Sequence, residues 1–230
     1  MPGRTRVAVV DEVIGPELWL PVDALLDELL LGRDPALSAA LAESQSAGLP
    51  PIEVSAQSAQ LLYLLVKIGA ARRVLEIGTL AGFSTICLAR GVGAEGAVVT
   101  LEHNPRHVEV ARRNLHRAGV ADRVEIVVGA ALDTLPGLTG DFDLVFIDAD
   151  KENNAAYVEH AIRLGRPGTV IVVDNAVRSG RILNPAEGDH QARGVREMLE
   201  LVGAHPRLEA AAIQTVGAKG WDGFVVARVT

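Results

Sequence analysis

Two short acidic clusters stand directly after apolar runs. Leu144–Ile147 leads into Asp148-Ala149-Asp150-Lys151, and Val170–Val173 leads into Asp174-Asn175. Asp148, Asp174 and Asn175 offer three oxygen donors and neither sulfur nor imidazole. Such a set suits a hard divalent ion with water completing its shell: Mg²⁺ first, then Mn²⁺ or Ca²⁺. The plainer alternative is that an Asp or Asn after a strand caps the next helix or makes a turn.

A second chemistry-bearing stretch lies upstream. Arg73-Val74-Leu75-Glu76-Ile77-Gly78-Thr79-Leu80-Ala81-Gly82-Phe83-Ser84 reads as a strand, a glycine turn and a helix start. Glycines let the backbone approach a ligand, and a helix start presents free N–H groups. A dinucleotide site calls for G-x-G-x-x-G with pyrophosphate on the helix N-terminus. Here the pattern is Gly78-x-x-x-Gly82, without the middle glycine. The acid Glu76 would repel pyrophosphate and suits a cationic ligand, such as the sulfonium and amino group of S-adenosylmethionine. Glu102, at the tip of the run Val98–Leu101, can accept both hydroxyls of a ribose. A tight strand–helix turn alone would also need Gly78 and Gly82. Two acidic clusters in step with this motif favour the metal.

The elements that must position these residues alternate. Val74–Ile77, Val98–Leu101, Val124–Val128, Leu144–Ile147 and Val170–Val173 are continuous apolar runs. Between them lie the amphipathic segments Ser84–Arg90, Pro105–Ala118 and Ala155–Arg166. That pattern predicts an α/β fold with a mostly parallel sheet covered by helices on both faces. A helix over Ala192–Val202 precedes Leu208–Ile213 and Gly223–Val229, strand-like runs joined through Val216–Gly220, which predict an antiparallel hairpin on the sheet edge. Ahead of the sheet, Leu18, Val22, Leu25, Leu26, Leu29 and Leu30 recur at helical spacing up to Gly32. Asp34-Pro35 can cap a second helix up to Gly48, and Ser55 begins a third. The reading is one domain over residues 1–230, with 1–53 a helical N-terminal extension. There is no internal repeat.

Composition narrows the class. The chain has 230 residues, 49% hydrophobic and 22% charged, with net charge −7. The apolar fraction argues against disorder. The acidic balance argues against coating nucleic acid or an anionic membrane. One cysteine, Cys87 in an apolar helical run, permits no internal disulfide and reads as a buried, inert thiol. The N-terminal stretch lacks the apolar core of a signal peptide, and no window reaches the ~20 apolar residues of a membrane span. A soluble cytoplasmic protein is expected. Of the 22 basic residues, 19 are Arg and three are Lys.

Glu76-Ile77-Gly78-Thr79…Gly82-Phe83-Ser84 resembles the first motif of class I S-adenosylmethionine-dependent methyltransferases. More narrowly it resembles the cation-dependent O-methyltransferases related to catechol and caffeoyl-CoA O-methyltransferase, over roughly residues 50 to 229. The resemblance implies a Rossmann-like fold with a seven-stranded sheet. It implies that Val54, Glu76, Gly78, Thr79 and Ser84 contact the methionine part of the cofactor, that Glu102 holds the ribose and that Ala131 lies by the adenine. It assigns Asp148, Asp174 and Asn175 as metal ligands, with Asp148 also on the cofactor side, and suggests Tyr157 there as a family-matching tyrosine. A packed helix-face role for Tyr157 is the alternative. The implied chemistry is in-line methyl transfer to a hydroxyl oxygen of a small catechol-like acceptor, with Lys151 as the base. Lys151 as a helix-start lysine paired with Asp148 or Asp150 is the plainer alternative. The resemblance favours a homodimer, and the surplus apolar helices over 16–47 could cover the active site or a second subunit.

The chain departs from the family at two positions. A tryptophan is usual in plant-type members where Arg178 stands, and a tyrosine where Asn154 stands. Both positions flank the acceptor pocket in that resemblance, so a planar phenylpropanoid acceptor is in doubt. Arg178 and Arg181 either meet an acidic acceptor or solvate their loop. Other readings keep the fold for a tRNA nucleoside, with Arg112, Arg113 and Arg117 as its patch, or for a non-catalytic binding protein.

Overall fold

A computed structural model describes residues 15–230. The readings made on residues 1–14, including the absent signal peptide, lie outside it. In chain order the elements are α1 (Pro16–Leu26), a π turn (Asp27–Leu31), α2 (Pro35–Ser46), α3 (Ala56–Ile68), β1 (Arg73–Ile77), α4 (Phe83–Val92), β2 (Ala97–Glu102), α5 (Pro105–Arg117), β3 (Val124–Val128), α6 (Ala131–Thr134), β4 (Phe142–Ile147), α7 (Asn154–Leu164), β5 (Gly165–Asp174), α8 (His190–Ala204), β6 (Leu208–Gly217) and β7 (Gly220–Val229).

Helix starts follow side-chain caps that satisfy free backbone N–H groups. Asp34 Oδ1 accepts from the N–H groups of Ala36 and Leu37 at 3.0 and 3.1 Å. Ser55 Oγ accepts from Ser58 N–H at 3.1 Å, and Asn104 Oδ1 from Arg106 N–H at 3.0 Å. The run Leu18–Leu30 is helical as expected, but it ends in the π turn, six residues after Pro21, which supplies no N–H to the ladder. α6 was not expected: its four residues are too few to show a period and carry no side-chain cap.

The seven strands run in the order β3-β2-β1-β4-β5-β7-β6. The first five are parallel, β7 is antiparallel to β5, and β6 is antiparallel to β7. The hairpin is longer than its sequence pattern suggested, because pairing continues to Gly217↔Gly220 and leaves only Ala218 and Lys219 as the turn. β7 is interior and β6 alone forms that edge. Alternate residues of the strands feed two cores. Leu75, Ile77, Val145, Ile147, Ile171 and Val173 pack against α7 and α8. Val74, Val98, Leu144, Phe146 and Val172 pack against α3 and α4. Cys87 is buried in the second core, and burial pushes its thiol up to about 12. α1 lays Asp23 on the hairpin turn, where Asp23 Oδ2 accepts from Ala218 N–H at 2.6 Å. Among the described residues nothing covers the apolar side of α1 and the π turn: Leu25, in α1, is 51% exposed, and Leu29 and Leu30, in the π turn, are 69% and 68% exposed.

The strand order reverses between β1 and β4, and ligands of such sheets bind at the carboxyl ends beside that reversal. There the turn after β1 meets the end of β4. Gly78 has φ +101°, and a Cβ on it would stand 2.1 Å from the Asp148 carbonyl oxygen. Gly78→Ala is therefore expected to lower stability by about 2–5 kcal/mol, from left-handed strain plus overpacking. Urea unfolding of the two proteins measures this, and a loss below about 1 kcal/mol would contradict the close approach.

Candidate active site

A cleft of about 430 Å³ opens over the carboxyl ends of β1, β2 and β4. Val54, Gly78, Thr79, Ser84, Glu102, Asp148, Lys151 and Asn175, all singled out in the sequence, line it. Eight residues from five separate stretches of chain thus face one space.

Glu102 ties the second strand to the first. Its Oε2 accepts from Thr79 and Leu80 N–H at 3.3 and 2.9 Å, and its Oε1 from Asn104 N–H at 3.0 Å. His103 and His107 place Nδ1 at 3.4 and 3.3 Å from Oε1. His107 lines the cleft and was not singled out in the sequence, where it reads as an ordinary residue of an amphipathic helix.

Glu76 corrects an expectation. It has no exposed surface, so it lies beneath the cleft floor rather than in its wall. Ser84 Oγ donates to it at 2.6 Å and Thr100 Oγ1 at 2.7 Å, and Thr85 Oγ1 donates as well. Burial raises its carboxyl to about 7, against the pull of those three hydroxyls. Tyr157 is likewise one step removed: it is buried, and its hydroxyl donates to Asp150 Oδ1 at 2.5 Å. Burial, and then that hydrogen bond to a carboxylate, hold the phenol well above its ordinary range. Ala131 begins α6, packs on the core beneath α7 and α8, and does not line the cleft. Asn154 does not face the cleft either; it is fully buried, and its amide has no protein partner among the described residues.

The two acidic clusters do meet. Lys151, buried, places Nζ 2.6 Å from Asp148 Oδ1. Asp174 lies behind Val54 in a small niche with Phe146 and Phe224. Burial and then the Asp148 charge raise the Asp174 carboxyl, while Lys151 opposes them. Asn175 takes a left-handed backbone, φ +62°, which Asn tolerates better than most residues. Two supports were invisible in the sequence. Gly194 of α8 lets the helix press onto the turn carrying Lys151, since a Cβ there would stand 2.4 Å from the Lys151 carbonyl oxygen. Asp222 Oδ1 accepts from Val177 and Arg178 N–H at 2.9 and 3.0 Å and so pins the loop after Asn175. Both contacts join residues more than forty positions apart, which no local pattern reports.

The arginines separate. Arg178 lines the cleft, whereas Arg181 pairs with Asp189. Arg113 and Arg117 pair with Glu43 at 2.9 and 3.3 Å, fastening α5 to α2 rather than leaving a free basic patch.

This arrangement can be set against known proteins. The O-methyltransferase family model matches residues 34–228. The chain belongs to the O-methyltransferase family. A catechol O-methyltransferase of Mycobacterium tuberculosis is 65% identical over 209 residues, covering 90% of this chain and 94% of the relative. One from Niastella koreensis is 41% identical, covering 93% and 98%. Among solved structures, the O-methyltransferase from Bacillus cereus in complex with SAH superposes with a TM-score of 0.92 at 46% identity, over 94% of this chain and 100% of that one. The O-methyltransferase TomG from Streptomyces achromogenes, in complex with SAM, gives 0.91 at 43% identity, over 94% and 99%. The Rossmann-like fold expected of this O-methyltransferase is the one observed.

Glu76 gives this O-methyltransferase a pH signature. Its folded carboxyl lies at about 7 against 4.5 ordinarily, so the folded state holds an extra proton between those values. Stability from this group is full below the lower value and is lost as pH rises through the upper one. The loss is on the order of 3 kcal/mol. In Glu76→Gln that loss should vanish, so the stability difference between wild type and variant should change sharply between pH 5 and 8 in urea titrations. A difference independent of pH would refute the buried, proton-holding carboxyl.

Proposed function

We propose that this O-methyltransferase moves the methyl group of S-adenosylmethionine to one of two adjacent hydroxyl oxygens on a small catechol-like acceptor, with a divalent cation and Lys151 as base. The observation that carries the reading is the buried Lys151 Nζ held 2.6 Å from Asp148 Oδ1, in the cleft that the Gly78 turn also lines. The catechol O-methyltransferase relatives and the SAM- and SAH-bound neighbours support the same reading.

The cofactor supplies an electrophilic methyl whose C–S bond breaks with its electron pair left on sulfur. Gly78 and Thr79 offer a backbone wall for its methionine part, with Ser84 beside them. Glu102, already braced by three N–H groups, keeps a fixed carboxylate for the ribose hydroxyls. Glu76 acts from below by fixing Ser84 and Thr100, and Tyr157 by fixing Asp150. Asp148, Asp174 and Asn175 fit a hard cation by donor type: two carboxylates that crowd each other and an amide, all at neighbouring strand ends. Bound there, the ion would offer Lewis acidity to adjacent acceptor oxygens and disfavour the protonated form of Lys151. Lys151 Nζ, as the neutral amine, would take the proton of the acceptor hydroxyl, whose oxygen would form the new C–O bond as the methyl leaves sulfur. An arginine could not do this, because it stays protonated. The leucines of α1 and the π turn that no described residue covers, together with the partly exposed Trp221 on the hairpin, support a homodimer.

Methyl transfer to catechol should stop when the metal is chelated and return with added Mg²⁺, while calorimetry still shows S-adenosylmethionine binding. Turnover indifferent to chelator would sink the metal role. Lys151→Arg should retain the fold and cofactor binding but lose about 10²–10⁴ in kcat. Full activity in that variant would remove Lys151 as the base.

A further inference from the structure

Every other charged side chain lining the cleft has a compensating neighbour. Glu53 pairs with Lys219 at 2.9 Å and Asp148 with Lys151 at 2.6 Å. Glu102 accepts three N–H bonds and faces two histidines. Asp150 accepts from Tyr157 and Asn153. Arg178 is different. Among the described residues its guanidinium makes no ion pair; Nη2 donates only to the neutral amide of Gln191, and Nε is buried without a partner. Asp189 is close enough to feel its charge, but Arg181 and the Ala192 N–H occupy that carboxylate.

Nor is Arg178 placed there cheaply. Its backbone has φ +54° and Ser179 φ +55°, two successive non-glycine residues in the left-handed region. Such a backbone is strained and persists only where surrounding structure imposes it. Asp222 imposes it by accepting the Arg178 N–H, and the Trp221 carbonyl by accepting from Ser179 Oγ at 3.3 Å. The loop is thus braced from the hairpin, and Arg178 is presented to the cleft wall that Asn175 and Lys151 share.

We infer that Arg178 is a specificity residue for an acidic acceptor: a catechol-type molecule whose ring carries a carboxylate. The inference rests on the proposed methyl transfer and adds the acceptor's charge class. The Nη end of a planar guanidinium that no carboxylate neutralises can meet a carboxylate through two parallel hydrogen bonds, a contact a neutral ring cannot make. Arg181, though three residues away, has no part in it, because Asp189 holds it outside the cleft.

The test compares kcat/KM for 3,4-dihydroxybenzoate and 4-methylcatechol, two acceptors that differ in the charge of one substituent. Wild type should prefer the acid. Arg178→Gln should lower the acid-to-neutral ratio by roughly ten- to a hundredfold. Arg178→Lys, which keeps the charge but not the fork, should recover part of the ratio, and Arg181→Gln should leave it within about twofold. The loss should fall mainly on KM for the acid, which a loop distortion affecting both acceptors would not produce. A neutral acceptor used as well as the acid by wild type, or a ratio unmoved in Arg178→Gln, overturns the inference and leaves the methyl transfer standing. No methylation of either acceptor overturns both.

Discussion

Gly78 and the Asp148 carbonyl compete for the same space, and the rest of the site depends on how that competition is resolved. Backbone meets backbone between the turn after β1 and the end of β4, with no side chain between them. The contact sits where the sheet changes direction, so it joins the half of the fold that carries the glycine turn to the half that carries the acidic clusters. Neighbouring hydrogen bonds lock it: Gly78 N–H donates to Leu101 O at 3.0 Å, and Asp148 N–H to Ile77 O at 2.9 Å. A methyl donor and a hydroxyl acceptor bound on either side would therefore have their separation set by main chain, which is far stiffer than side chains.

Around that contact the protein concentrates carboxylates and then neutralises most of them by different means. Glu76 is buried and leans toward its protonated form. Glu102 is satisfied by backbone N–H groups, Asp150 by a phenol and Asp148 by an ammonium. Asp174, raised by burial and by Asp148, accepts the Asn175 N–H at 2.8 Å. The mixture follows from burial, because an ionised carboxylate removed from water needs donors or an opposite charge. Each donor also fixes a position, so the solutions to the charge problem are the ones that orient the site.

Much of this was legible in the sequence. The five apolar runs, the glycine turn and the strand-tip acids appear as local patterns, and each falls where the pattern put it. The burial of Glu76, Tyr157 and Asn154 was not legible, because a motif reports which residue types occur near a site but not which face of an element they occupy. Glu76 pairs with Thr100 across β1 and β2 and so points into the layer beneath the cleft. The supports at Gly194 and Asp222 act across long separations and have no local signature. The register shift in β4 between Phe142 and Leu144 is equally silent. It frees Asp143 to accept from Arg72 and Arg73 N–H at 2.8 and 3.0 Å, anchoring the base of the sheet far from the chemistry.

The Arg-rich, Lys-poor composition also acquires a physical meaning. Arginine serves here mainly as a clamp between elements: Arg90 on Asp34, Arg113 and Arg117 on Glu43, Arg166 on Asp143, Arg181 on Asp189. A permanently charged fork suits that work and gives each pair a fixed geometry. Against this background two cleft residues stand apart for opposite reasons. Lys151 is one of three lysines, and among the described residues it shares the cleft wall with Arg178 as its basic side chains other than histidine. Arg178 has the fork of the clamping arginines but no carboxylate within the described residues to close on. A chain that pairs its other cleft charges internally and, among the described residues, leaves this one unmatched on strained backbone holds it ready for a charge that comes from outside.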